Sequence, residues 1–153
     1  MAQSLRRKIL LYGFVAGMLG MAAFHQGTIH MMHFNAAKIP SVAAFFGPFP
    51  RAYLLSATGP FGMPWLAFLL IQGGLWGIVI AALLRATSLP DLLFGFLFGA
   101  VVIAAFDLLA IPALMGRGPN LNPGTQLLAR TILVDGALGF GTVFFLRPFQ
   151  VRG

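Results

Sequence analysis

The sequence contains no cysteine and no glutamate, and its only acids are Asp91, Asp107 and Asp135. Without cysteine there are no disulfides, no thiolate metal sites and no cysteine nucleophile, and redox chemistry says nothing of the compartment. Without glutamate there is no His-Glu-X-X-His zinc motif, and the chain also lacks a Gly-Lys-Ser/Thr phosphate loop. No dinucleotide fingerprint follows a strand, and no Gly-X-Ser-X-Gly elbow occurs. Ser56 and Thr58 stand at no spacing that would build a triad with His33. Charge itself is scarce, at 8% of 153 residues, against about 25% in a soluble domain. Such a surface is not built for water. The mass outside the apolar segments is too small for a soluble catalytic domain, so the chain is not expected to be an enzyme.

What is present is hydrophobic: 59% of the residues, with a mean hydropathy of +0.90. A spanning helix needs about 20 mostly apolar residues. Four segments qualify, roughly 9–34, 64–84, 91–114 and 125–146. Gly/Pro-rich joints separate them, at Gly59–Pro64, Leu89–Asp91 and Gly118–Gly124, and these are turn and helix-start signals. Arg6-Arg7-Lys8 before the first run imitates a secretory signal, but the segment reads as a retained transmembrane helix. The net charge of +7 is concentrated at segment ends, so membrane topology explains it and nucleic acid is not an expected partner. Arg6, Arg7, Lys8, Arg85, Arg147 and Arg152 fall on one side, and Lys38, Arg51 and Arg117 on the other. The positive-inside rule then puts both termini in the cytoplasm, with a bacterial inner membrane as the expected location. Tyr12 and Trp65 fit interfacial aromatic belts.

The chain also reads as a repeat. Residues 10–25 lie over residues 92–107 without a gap, with Leu10, Leu11, Gly13, Phe14, Gly17, Ala22, Ala23 and Phe24 matched identically. A fixed offset marks an internal repeat. More weakly, Ile71-Gln72-Gly73-Gly74-Leu75 parallels Val134-Asp135-Gly136-Ala137-Leu138. The expected fold is therefore an all-α integral membrane protein with no β-sheet core. It is a single transmembrane domain of four helices, forming two tandem hairpins over about 9–84 and 91–146. An even number of spans per repeat relates the hairpins by a parallel pseudo-twofold along the membrane normal. Gly13/Gly17, Gly73/Gly77 and Gly95/Gly99 are small-xxx-small pairs that let helix backbones approach in lipid. Packing within one bundle is the expected use, and homodimerisation the alternative.

Ionisable groups inside such spans are the default functional candidates. Asp107 lies about 9–10 Å inside the outer end of the third span, and Arg130 about 7–8 Å inside that of the fourth. Matching depth on consecutive helices predicts an Asp107–Arg130 contact. Asp135 and Gln72 both sit near the midplane. The fourth span carries 11 Leu, Ile, Val and Phe residues between Gln126 and Leu146, worth about −3 to −6 kcal/mol on the insertion scale. Two central charges cost about +5 to +7 kcal/mol on that scale. The charges must therefore be paired, snorkelled or neutralised, and Gln72 is the expected hydrogen-bond partner of Asp135.

All three histidines lie in His25–His33. His30 and His33 are one turn apart, whereas His25 stands about 140° away from His30. With Met31 and Met32, the His30/His33 pair is the region that would take a metal, haem or chlorophyll-type pigment. Interfacial histidines satisfied by loop carbonyls and water are the plainer reading, and no cofactor or metal is predicted. His25 is the stronger polar candidate, because the repeat sets it opposite Asp107. The outer loop 35–63 is too aromatic to stand free in water. It is expected to lie on the bilayer, cap the bundle or meet a partner, with room for a short amphipathic helix around 51–57.

Three functions fit. The first is a non-catalytic accessory or assembly subunit of a larger membrane complex, respiratory or photosynthetic in class. The alternative is a small transporter or proton/ion pathway using Asp135, Gln72, Asp107 and His25. The third is a haem- or pigment-binding redox protein at His30/His33. Full pairing of the buried polar groups would favour the first. A cavity reaching Asp135 would favour the second.

Overall fold

A computed structural model describes residues 2–56 and 58–149, with side chains from Arg6 onward. Arg152 lies outside the described residues. The fold is helical throughout, and the described residues contain no strand, only an isolated bridge between Thr58 and Pro64. Helix α1 (Ala2–Gly20) runs through a π-turn at Met21–His25 into α2 (Gln26–Asn35). A short α3 (Pro40–Phe46) lies in the connection after it. Helix α4 (Trp65–Leu83) comes next. Helix α5 (Asp91–Phe98) then passes through a second π-turn, Gly99–Ile103, into α6 (Ala104–Leu114), and α7 (Gly124–Leu146) completes the bundle. Four continuous helices, Arg6–Lys38, Trp65–Leu83, Asp91–Leu114 and Gly124–Phe149, are long and apolar enough to cross a membrane.

Local chemistry sets the ends. Pro64 and Pro90 cap α4 and α5 with φ near −55° and extended ψ, a geometry that suits a helix start but cannot continue one backwards. Asp91 occupies the first turn of α5, where the helix dipole favours an acid. Gly116 and Gly118, at φ 72° and 74°, stop α6 in the left-handed conformation that other residues rarely adopt. In the outer connection, Pro40 at the helix start and Gly47 at φ 66° bracket α3. The short helix thus forms at Pro40–Phe46 and not around 51–57 as expected, of which residues 51–56 are described and not helical. Residues 52–53 and 55–56 are bends, with Tyr53 itself at φ 56°.

Glycine decides how closely the helices approach. A Cβ on Gly17 would overlap the Gly73 carbonyl, and one on Gly77 would overlap the Gly13 carbonyl, which seats α1 on α4. On the other hairpin a Cβ on Gly139 would overlap the Gly95 carbonyl, and one on Gly99 the backbone carbonyl of Asp135. Phe14 fills the space over Gly74, and Phe96 that over Gly136. The hairpins join where Gly20 faces Thr142 and Phe24 packs on Gly141. Met21, Ile80, Ile103, Leu138 and Val143 form the fully buried centre. Trp76 closes the remaining side, edge-on to Phe98 and Phe106 at 5.8 and 5.4 Å.

Candidate functional site

The bundle buries a polar cluster that draws on four helices. His25 ends the first π-turn, Gln72 comes from α4, Asp107 from α6 and Asp135 from α7. Asp135 is 1% exposed, and His25 and Gln72 are 6% exposed each; Asp107 is half-buried. Potential ligand atoms of His25, Asp107 and Asp135 all lie within 4.8 Å of one another. One π-turn ends on His25, and the other ends one helical turn before Asp107. A π-turn adds one residue to a turn and rotates the rest of the helix, and such turns recur at functional sites.

The hydrogen bonds differ from the sequence expectation. Asp107 does not pair with Arg130. It accepts from Gln72 Nε2, while Arg130 donates to the Pro48 carbonyl and stacks its guanidinium 5.7 Å from the Phe49 ring centroid. Gln72 in turn does not reach Asp135, whose Oδ1 instead lies 3.4 Å from His25 Nε2. Equal depth does not decide the pairing, because the connection before α4 offers Arg130 a carbonyl and an aromatic face. Arg130 thereby keeps its charge out of the bundle centre, where an unpaired ion costs several kcal/mol.

Two polar atoms of the cluster are buried with no partner, Asp135 Oδ2 and Gln72 Oε1. Buried polar groups are nearly always hydrogen-bonded, so each exception asks for a ligand or water. A cavity of about 240 Å³ reaches Asp135, though Gln72 does not line it. It runs from Pro50, Asn120 and Arg130 at the loop end down to His25, Asp107 and Asp135. Pro112, on the cavity wall, has no N–H to give the Leu108 carbonyl, and the Asn120 N–H takes that carbonyl at 3.0 Å. A wider groove at the opposite end, about 1350 Å³ and lined by Arg6, Arg7, Lys8 and Tyr12, lies among the basic residues away from the cluster.

Two site residues escaped the sequence reading. The Tyr53 N–H donates to Gln26 Oε1 at 2.8 Å, the Tyr53 hydroxyl donates to the Ala22 carbonyl at 2.9 Å, and Gln26 Nε2 lies 3.1 Å from His25 Nδ1. Gln26 is 3% exposed, and its place beside His25 in an apolar run was the available signal. Nothing local marks Tyr53; its left-handed φ and its partners appear only when the loop folds back.

His30 and His33 stand apart from the cluster. His33 Nδ1 donates to the Phe49 carbonyl at 2.7 Å, and its ring meets Phe34 edge-on. His30 is exposed and lies against Phe34 and Tyr53. Gly13, Gly17, Gly73, Gly77, Gly95 and Gly99 are all buried at helix contacts within the chain. Comparisons with protein-family models, with curated proteins and with solved structures each return no match.

Proposed function

We propose that this protein is a small membrane protein that admits protons or small cations from its loop side to the buried His25–Gln72–Asp107–Asp135 cluster. One observation carries the reading: a cavity descends to a carboxylate whose Oδ2 is buried without a partner. An accessory subunit has no need of a route to an unpaired intramembrane acid, which is costly unless used. In this reading the four apolar helices cross a bacterial inner membrane, with both termini cytoplasmic. The clustering of Arg6, Arg7, Lys8, Arg85 and Arg147 at the ends opposite the cavity supports that orientation.

The hairpins are read as a pseudo-twofold repeat. Gly13 on Gly77 parallels Gly95 on Gly139, and Phe14 on Gly74 parallels Phe96 on Gly136. In that register Gly73, not Gln72, is the counterpart of Asp135, one residue from the sequence parallel. His25 and Asp107 are counterparts in the first and third helices, and both enter the cluster.

The test is flux in proteoliposomes carrying a pH-sensitive dye and a defined cation gradient. Wild-type protein should dissipate the gradient, and Asp135→Asn and Asp107→Asn should cut the rate at least tenfold. Equal rates in all three would sink the proposal. The accessory-subunit reading keeps one specific support, the outer-side residues Phe61 and Leu121 at 79% and 81% exposure. Co-purification of other subunits at fixed stoichiometry from native membranes would favour it.

A further inference from the structure

The cluster divides its hydrogen bonds in a way that names the class of ion it takes. The Tyr53 N–H fixes which end of the Gln26 amide is oxygen, so the NH₂ end faces His25 Nδ1. An amide NH₂ only donates. Nδ1 therefore accepts, and the ring proton resides on Nε2, directed at Asp135 Oδ1. The imidazole offers the site a donor and no lone pair. Gln72 likewise spends its Nε2 on Asp107 Oδ1. What remains toward the cavity is carboxylate oxygen: Asp135 Oδ2, buried and unpartnered, and the second oxygen of Asp107.

We propose that Asp107 and Asp135 bind one hard divalent cation through oxygens alone, with the His25 and Gln72 N–H groups orienting the two carboxylates. This rests on reading the cluster as a cation site. Two carboxylates face one cavity, and Arg130, the nearest fixed positive charge on the cavity wall, is engaged by the Pro48 carbonyl. A divalent ion balances both charges at once where the dielectric is low. The spacing suits it: ligand oxygens of Asp107 and Asp135 lie within 4.8 Å of each other, and oxygens bound at 2.3–2.6 Å from a common Ca²⁺ lie up to about 5 Å apart. At about 30 Å³ per water, the cavity has room for an ion with several of its waters. Zn²⁺ and Cu²⁺ favour nitrogen and sulfur ligands, which this tautomer withholds, whereas Mg²⁺, Ca²⁺ and Mn²⁺ favour oxygen.

Mn²⁺ is the probe, titrated into the full chain in detergent micelles and followed by EPR. One Mn²⁺ per chain is expected, displaced by Mg²⁺ or Ca²⁺ and weakened at least tenfold in Asp135→Asn. Pulsed EPR should show no directly coordinated ¹⁴N. Gln26→Glu places an acceptor against Nδ1, so that Nδ1 can hold the ring proton while Nε2 gives up its own and binds a metal. In that variant a coordinated ¹⁴N signal should appear, and Zn²⁺ affinity should rise at least tenfold. The proposal is overturned if natively folded wild-type protein binds no Mn²⁺, or binds it with a coordinated nitrogen. It is equally overturned if Gln26→Glu gains neither the signal nor the Zn²⁺ affinity. Flux without Mn²⁺ binding would overturn this assignment and leave the cation pathway standing. Mn²⁺ binding without flux would do the reverse.

Discussion

Gly99→Ala puts one methyl group where two helix backbones touch, and the structure sets its cost. The new Cβ would collide with the Asp135 carbonyl and stand 2.8 and 3.1 Å from the Asp135 C and Gly136 Cα atoms. All three are backbone atoms of α7, so no side chain can swing aside and the helices must part. Overpacking of this kind costs about 1–3 kcal/mol, and the upper part of that range applies where only backbone can move. Alanine returns about 1 kcal/mol of helix propensity. The net expectation is a loss of about 1–2 kcal/mol. Gly27→Ala is the control, because nothing lies within 4 Å of where its methyl group would stand in α2. It should gain the propensity without a steric penalty, leaving the two variants about 2–3 kcal/mol apart. The assay is reversible unfolding in detergent, followed by the fluorescence of Trp76, whose ring lies between Phe98 and Phe106. Because the displaced backbone carries Asp135, Gly99→Ala should also weaken cation binding, and Gly27→Ala should not. Equal stability of the two variants would refute the claim that backbone contact sets this helix spacing.

Other outcomes depend on individual bonds. His33→Ala removes the donor to the Phe49 carbonyl and should cost about 1 kcal/mol. The exposed His30→Ala should stay within about 0.5 kcal/mol of wild type in the same unfolding measurement. Tyr53→Phe deletes the bond to Ala22 and should lose about 0.5–1.5 kcal/mol; an unchanged midpoint would show that the loop is held without it. Pro112→Ala restores an N–H able to claim the Leu108 carbonyl. The Asn120 amide, which now uses that carbonyl, should then exchange hydrogen faster by at least tenfold.

Much of the architecture was legible in one dimension, because its causes are local or compositional. Four apolar runs separated by Gly/Pro joints locate the four long helices, since the length that spans a bilayer and the residues that stop a helix are both written along the chain. Gly13, Gly17, Gly73 and Gly77 signalled close backbone approach by spacing alone. His25, Gln72, Asp107 and Asp135 stood out as candidates because polar groups are expensive in apolar helices. Which of them meet was not legible. Asp107 faces Gln72 and Asp135 faces His25 because the π-turns rotate two helices and the glycine contacts fix the rest; the glycine spacing is visible in the sequence, but the π-turns have no residue-level signature. Arg130 left the cluster because a loop that is distant in sequence supplied the Pro48 carbonyl and the Phe49 ring. The roles of Gln26 and Tyr53 depend on a contact 27 residues apart along the chain. The sequence thus determined the apolar helices and the inventory of buried polar groups, since each comes from a residue's own transfer energy. Only the tertiary structure decided their pairing and the cavity, since these depend on distances that no single segment sets.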